Sequence, residues 1–358
     1  MTEAKTLVVL IPAFPANEQE KNWLPTQQLF LRWIKKLFPD VNIIVLSFVY
    51  PDRISEYEWE GIKVFSFNGM RFRKLRRFLL LRKVWNQLKQ IKRKQGITGI
   101  LSFWCGECAL IGSYFGKRYS INHRIMICGQ DARKKNKLVK FIRPAANELI
   151  ALSDFLVDEF YRNHHIRPAY MIPNGIDVSI FSTNDLARDI DIIGVGSLSR
   201  LKQYDFFVEI VAGLKKKKPT LKAMLCGNGE DMERITRMRR EHSLEDTIDM
   251  PGMLAPAEAI RMMQRAKIFL HPSSYEGFSS ACLEALYAGA HVISFTKPMH
   301  HDIKNWHIVK IKEEMKQKAW ELLNDPHIVY EPVMVYSMED CVKKTMNSLG
   351  FAEMQKKA

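Results

Sequence analysis

The sequence predicts an α/β protein built from two doubly wound parallel-sheet domains. Short apolar runs of strand length alternate with amphipathic stretches of helix length through both halves of the chain. The runs are apolar throughout, as expected of parallel strands covered on both faces. The chain has 358 residues, 47% hydrophobic and 26% charged, which supplies two cores at ordinary soluble composition.

The first run, 7–11, stops at Pro12. Glu3 precedes it and a basic leader is missing, so it reads as a first buried strand rather than a signal peptide. A helix is expected over 26–37, then strands at 43–48, 62–65, 99–103, 124–128 and 148–152, with a helix at 155–163. Polar residues interrupt the pattern at 177–189. Strands then resume at 191–195, 222–226, 247–250 and 268–270, with helices at 204–215, 231–242 and 256–264 between them. Segment 333–349 reads as a closing helix. The expected organisation is 1–180, 181–332 and a helical tail 333–358 that packs back on the first domain.

Cys226, Cys282 and Cys341 sit among apolar or helical neighbours and read as inert buried thiols. Cys105 and Cys108 form a CxxC without a second pair, so neither a zinc site nor a secreted disulfide framework is expected. No apolar stretch approaches the roughly 20 residues that span a bilayer. Net charge is +15, and segment 71–94 carries eleven basic residues and no acidic one. Apolar residues interleave at mostly helical spacing, as in a helix lying on an anionic membrane. Val84, Leu88 and Ile91 alone make an ordinary core stripe. No helix-turn-helix, zinc finger or RNP-like pattern accompanies the charge, so nucleic acid is not an expected partner.

The most informative stretch is 268–294. A buried strand ends at His271, a loop carries Glu276-Gly277-Phe278, and Ser279-Ser280 opens a helix that Gly289 closes. A strand, a glycine-containing turn and a helix start make an anion site, because N–H groups of the first turn point outward. Glu276 and Glu284 flank it. Anion-gripping N–H groups between two carboxylates suit a sugar nucleotide, whose diphosphate takes the helix end while the carboxylates accept bonds from ring hydroxyls.

Glu276 and Glu284 lie within EGF-x5-EAL, and this spacing resembles the signature of retaining GT-B-fold glycosyltransferases of family four, the glycosyl transferases group 1. The resemblance extends to Ile172-Pro173-Asn174-Gly175-Ile176-Asp177, to Val195-Gly196-Ser197-Leu198 with Lys202, and to Cys226-Gly227-Asn228-Gly229. It implies two Rossmann-like domains facing a central cleft, with the donor on the second and the acceptor on the first.

The resemblance also implies roles. Lys202 matches a diphosphate-binding lysine; Ser197 stands where the family has an arginine, and Arg200 could supply that charge. Gly196, Gly227 and Gly252 fall in loops that border the nucleotide. Glu276 resembles the carboxylate that holds the donor sugar near the reacting carbon, and Glu284 the one that holds the ribose. Phe278, Ser279 and Ser280 would present N–H groups to phosphate and sugar. Because the two carboxylates serve different parts of the donor, they are not a glycosidase acid/nucleophile pair. Cys128 fills the family's histidine position, and Asp131 or Gln130 could contact acceptor or donor sugar there. The alternative for Asp131 is an ordinary polar loop after a strand, and for Lys202 and Glu284 a solvated lysine and a helix-surface carboxylate.

The expected function is therefore retaining transfer of a hexose-type sugar from a nucleotide-diphospho sugar to a saccharide or lipid-linked glycan. No metal or other cofactor is expected. The expected location is cytoplasmic, peripheral on the inner membrane face through 71–94. The alternatives are a GT-B-fold nucleotide-sugar epimerase and a catalytically weak, polyanion- or membrane-binding GT-B protein.

Overall fold

The structure is a computed structural model that describes residues 5–20, 23–72, 77–182 and 186–351. It divides into two units, Met1–Asn174 with Met338–Ala358, and Gly175–Ser337.

The first unit runs β1 (Thr6–Ala13), α1 (Pro25–Leu37), β2 (Asn42–Tyr50), β3 (Ile54–Trp59), β4 (Ile62–Phe67), α2 (Arg77–Gln95), β5 (Gly99–Phe103), α3 (Glu107–Tyr119), β6 (Asn122–Ile127), α4 (Val139–Ile142), β7 (Leu149–Ala151), α5 (Asp154–His164) and β8 (Tyr170–Met171). Its sheet has the order β3-β4-β2-β1-β5-β6-β7-β8. The central strand is sealed on both faces, with Leu7 through Ile11 at 0% exposure.

One pairing departs from the all-parallel expectation. β3 pairs antiparallel with β4 through the two-residue turn Glu60-Gly61, whose φ values are 47° and 73°. Two successive positive φ angles are what a tight hairpin turn demands. The run predicted at 62–65 is thus the second half of an edge hairpin.

The stripe Leu80, Val84, Leu88 and Ile91 of α2 is buried against Val8, Leu10, Ile44 and Leu46. The opposite face leaves Arg82, Lys83, Lys89, Lys92, Arg93 and Lys94 exposed. Arg73, Lys74, Leu75 and Arg76 of the basic segment lie outside the described residues.

A buried polar relay ties three strands together. Ser102 Oγ on β5 lies 2.9 Å from His123 Nε2 on β6, and His123 Nδ1 lies 3.4 Å from Glu148 Oε1, just before β7. The order of groups is that of a hydrolase triad, but Ser102 is fully buried and its hydroxyl also donates to the Cys108 carbonyl at 3.2 Å. The relay is structural. Gly112 makes room for it, since a Cβ there would sit 2.4 Å from His123 Nε2.

Burial pushes the His123 pKa down, and the Glu148 hydrogen bond only partly offsets this. Burial pushes Glu148 up, but the His123 hydrogen bond and the Ala145 N–H outweigh it and hold Glu148 at about 2. Both folded pKa values lie below their unfolded ones, so the unfolded chain takes up these protons first. The stabilisation is complete above roughly pH 6.5 and is lost as pH falls toward 2. Urea titrations should show His123→Ala losing about 2 kcal/mol at pH 8, with a shallower decline of stability on acidification than the parent. An unchanged acid slope would remove the relay from the account.

The second unit runs β9 (Ile190–Val195), α6 (Tyr204–Lys215), β10 (Ala223–Cys226), α7 (Met232–Glu241), β11 (Ile248–Gly252), α8 (Pro256–Gln264), β12 (Ala266–His271), α9 (Ser280–Tyr287), β13 (His291–Ser294), β14 (Trp306–Ile308) and α10 (Lys312–Asn324). All its strand pairs are parallel, in the order β11-β10-β9-β12-β13-β14. The chain builds outward from β9, then crosses to the other side at β12. The order reverses between these two strands, which is where ligands bind in such sheets.

Last comes α11 (Met338–Ser348), which belongs to the first unit and packs on α1. The Leu349 carbonyl accepts from Asn122 Nδ2 at 3.2 Å, and Phe351 is fully buried beside Gly99, where a Cβ would come within 2.8 Å of its ring.

Candidate functional site

At the reversal point of the second unit, the loops after β9 and β12 are tied together. The Leu201 carbonyl accepts from Ser274 N–H at 3.0 Å and from Ser273 Oγ at 3.2 Å. This tie sets Lys202 opposite Glu276, and their side chains form an ion pair, both about one-fifth exposed. His271, the last residue of β12, stands behind the carboxylate with Nε2 3.3 Å from Glu276 Oε2. The contact is off-line for a hydrogen bond, and both buried ring nitrogens lack a hydrogen-bond partner.

Burial pushes the Glu276 pKa up, but the His271 contact and the Lys202 charge outweigh burial and hold it at about 2. Glu276 is therefore ionised throughout the physiological range and can only accept hydrogen bonds. Burial pushes His271 down, so it stays neutral.

The helix start is built as its sequence implies. Ser279 is the N-cap of α9, and its Oγ accepts from Cys282 N–H at 3.3 Å. Phe278 is buried, stacked on Trp306 at 6.1 Å and edge-on to Tyr336 at 5.8 Å. This packing anchors the loop between Glu276 and the helix, with Ser280 opening the first turn. Glu284, four residues into the helix, is half-buried, and burial alone raises its pKa to about 7. Two carboxylates eight positions apart thus have opposite chemistry: Glu276 is fixed as an anion, and Glu284 is poised between its two forms at neutral pH.

The glycine loops are stitched to one another. Gly196 N–H donates to the Cys226 carbonyl at 3.0 Å, and Gly227 N–H to the Gly252 carbonyl at 2.8 Å. A Cβ at Gly227 would lie 1.8 Å from the Gly196 carbonyl oxygen. That glycine is dictated by its neighbouring loop, whatever ligand approaches it. Ser197 and Arg200 are both exposed on the loop that carries Lys202.

Asp131 lies in the first unit, apart from this cluster in the chain, and it is engaged with backbone. One oxygen accepts from Cys105 N–H at 2.8 Å and the other from Gly129 N–H at 2.8 Å and Cys128 N–H at 3.2 Å. Burial raises its pKa, and these donors offset part of the rise. Asp131 clamps the loop after β5 to the loop after β6, and Asn136 adds bonds to the Cys105 and Asp131 carbonyls, each at 2.8 Å. Its geometry is that of a positioning residue rather than of a group aimed at a reacting atom.

Two residues of interest carried no signal that distinguished them from structural ones. His271 looked like a strand terminator. Trp104 directly follows β5 and adopts φ 63°, a left-handed conformation that costs a non-glycine residue on the order of 1 kcal/mol. Among the described residues no group of three or more His, Cys, Asp or Glu is placed to hold a metal ion.

Comparison with known proteins places this geometry. Residues 178–326 match the family described as Glycosyl transferases group 1. A phosphatidylinositol N-acetylglucosaminyltransferase component of Arabidopsis thaliana is 24% identical over 266 residues, covering 71% of this chain. The chain spans 60% of that relative's length. Among solved structures, sucrose-phosphate synthase of Thermosynechococcus elongatus superposes with a TM-score of 0.66 at 16% identity, covering 98% of this chain and 95% of that one. Anabaena HepE in complex with UDP and glucose also reaches 0.66 at 14% identity, covering 96% of this chain and 95% of that one. At such identities the structural likeness speaks to the fold.

Proposed function

Because residues 178–326 belong to the glycosyl transferases group 1 family, we propose that this chain transfers a hexose-type sugar, with retention, from a nucleotide-diphospho sugar to a saccharide or lipid-linked acceptor. Its fold is GT-B, two parallel-sheet α/β domains. The observation that carries the reading is the Lys202–Glu276 pair at the β9/β12 reversal, beside the capped start of α9.

Donor binding replaces that pair. Lys202 turns to the diphosphate and Glu276 accepts from the sugar hydroxyls. The C1–O bond breaks with its electrons passing to the diphosphate, whose growing negative charge Lys202 stabilises, with Arg200 as a second cation in reach of the same loop. The acceptor hydroxyl attacks the same face, and its proton passes to the departing phosphate oxygen. In this scheme the protein itself supplies the countercharge, so no metal is required. A chain whose relatives include a transferase named for phosphatidylinositol fits an acceptor at a membrane. The basic face of α2 supports peripheral attachment there, on the cytoplasmic side. Among the described residues no helix is long and apolar enough to cross a membrane.

The test is calorimetric titration with UDP-, GDP- and ADP-sugars between pH 6 and 8. One of them should bind, and its affinity should rise with pH through about 7, because Glu284 starts near that value and accepts ribose hydroxyls more strongly as a carboxylate than as a neutral acid. The sign follows from linkage: binding the carboxylate form releases a proton, so higher pH favours the complex. Glu284→Gln should weaken binding roughly tenfold and flatten the pH dependence. A pH-independent affinity would remove Glu284 from the ribose site, and failure of the whole panel would remove the donor reading.

A further inference from the structure

The first unit has a pocket of about 190 Å³ at the carboxyl ends of β5, β6 and β7, walled on its other side by the first turns of α1. In this sheet the strand order reverses between β1 and β5, so the pocket lies in the region where doubly wound sheets take ligands. Phe30 and Trp104 line it with Thr26, Gln27, Cys128 and Asn174, and among the described residues no charged side chain takes part in its wall.

Trp104 is the unusual member. Its backbone is held at φ 63° by its own N–H to the Met126 carbonyl at 3.0 Å, by Gly106 N–H to its carbonyl at 2.9 Å, and by the Asp131 bond to Cys105 N–H at 2.8 Å. Glycine would take this conformation without cost. A large ring held at a strained position, clamped on three sides and half-buried at a pocket, is a candidate for ligand contact.

We infer that this pocket holds one uncharged six-membered sugar or polyol ring, stacked on Trp104, as the terminal ring of the acceptor. The inference rests on the transferase reading for the word acceptor, and on the pocket alone for the ring. An apolar cavity of about 150 Å³ accepts a benzene ring, so this volume has room for a single ring. The aromatic wall meets the ring's C–H face, and Thr26, Gln27 and Asn174 offer partners for its hydroxyls. Among the described residues a phosphate or carboxylate would find no cation in the wall to meet it, which is costly in so apolar a pocket. An acyl chain would leave the Gln27 amide and the Thr26 hydroxyl facing hydrocarbon.

The experiment is saturation-transfer NMR on the full chain with methyl glycosides of neutral hexoses and N-acetylhexosamines and with myo-inositol, each against methyl glucuronide as the anionic control. At least one neutral ring should bind. Trp104→Gly, which relieves the backbone, should fold and lose binding at least about tenfold, while Trp104→Phe retains most of it. Equal binding of the glucuronide, binding unchanged in a folded Trp104→Gly, or no binding of any neutral ring would overturn the inference. Ring binding that persists in a chain unable to bind or turn over any nucleotide sugar would overturn the transferase reading and leave the pocket assignment standing.

Discussion

Replacing Lys202 with alanine is expected to cut nucleotide-sugar turnover at least about a hundredfold, and Glu276→Ala to do the same. Charge that develops on a leaving diphosphate is stabilised by groups already in place, and Lys202 is the cation paired at the reversal point. Each substitution also strands its partner: without Lys202 the Glu276 anion keeps only the neutral His271 beside it. A stability cost therefore accompanies each loss, and the two effects must be separated. The double variant Lys202→Met with Glu276→Gln does so. Removing both charges together should cost less stability than the sum of the single losses, because the pair is mutual. Turnover should stay at the floor. Turnover restored in the double variant, or near-parental rates in both singles at unchanged folding, would sink the assignment.

The members of that cluster stood out in the sequence because each sits on a local motif. Ser279 announces a helix start, Glu276 and Glu284 keep their spacing around it, and Lys202 falls in a loop between an apolar run and an amphipathic helix. What could not be read was which groups face one another. The Lys202–Glu276 pair joins residues 74 positions apart, and only the sheet order brings β9 beside β12. The same holds for Trp104, whose left-handed backbone is held by N–H bonds donated to the Met126 carbonyl of β6 and, from Cys105, to Asp131, and leaves no trace in composition. Asp131 shows the converse. Its position after a strand suggested a site residue, yet a short carboxylate there is equally suited to collecting backbone N–H groups, and three of them reach it.

The fold followed the same division. Strands with a fully apolar run, such as β1 and β12, were plain from the residues alone. The β3–β4 hairpin was hidden because Ser55, Tyr57 and Trp59 face inward against Ile54, Glu56 and Glu58, and that alternation lies next to a turn, Glu60-Gly61, with a glutamate where asparagine or aspartate is the usual signal. β14 was missed for a different reason: three residues, Trp306–Ile308, are too few to show a period. The short edge strand exists because β13 offers it a ladder.

Removing the charges at Lys89, Lys92, Arg93 and Lys94, each to glutamine, is expected to reduce partition onto anionic vesicles by at least about a hundredfold at low salt. Each lysine or arginine near an anionic leaflet contributes about 1 kcal/mol, so four contribute up to about 4, before geometry lowers the figure. The structure sharpens the expectation in two ways. The core stripe of α2 is Leu80, Val84, Leu88 and Ile91, so these four exposed cations lie outside the core, with Lys92 over the Tyr119 ring at 5.0 Å. Exchanging them should leave the melting temperature nearly unchanged. Phe78 on the same helix is 60% exposed and gives the face an apolar anchor. Phe78→Ser should therefore weaken binding at high salt, where screening has already stripped the charge contribution. Parental binding should fall steeply between 50 and 300 mM salt, on the order of a Debye length's shrinkage from about 14 to 6 Å, and the quadruple variant should show a shallower salt dependence. Equal flotation of parent and quadruple variant at low salt would mean that the basic face of α2 is a solvated surface and that any membrane contact lies elsewhere on the chain.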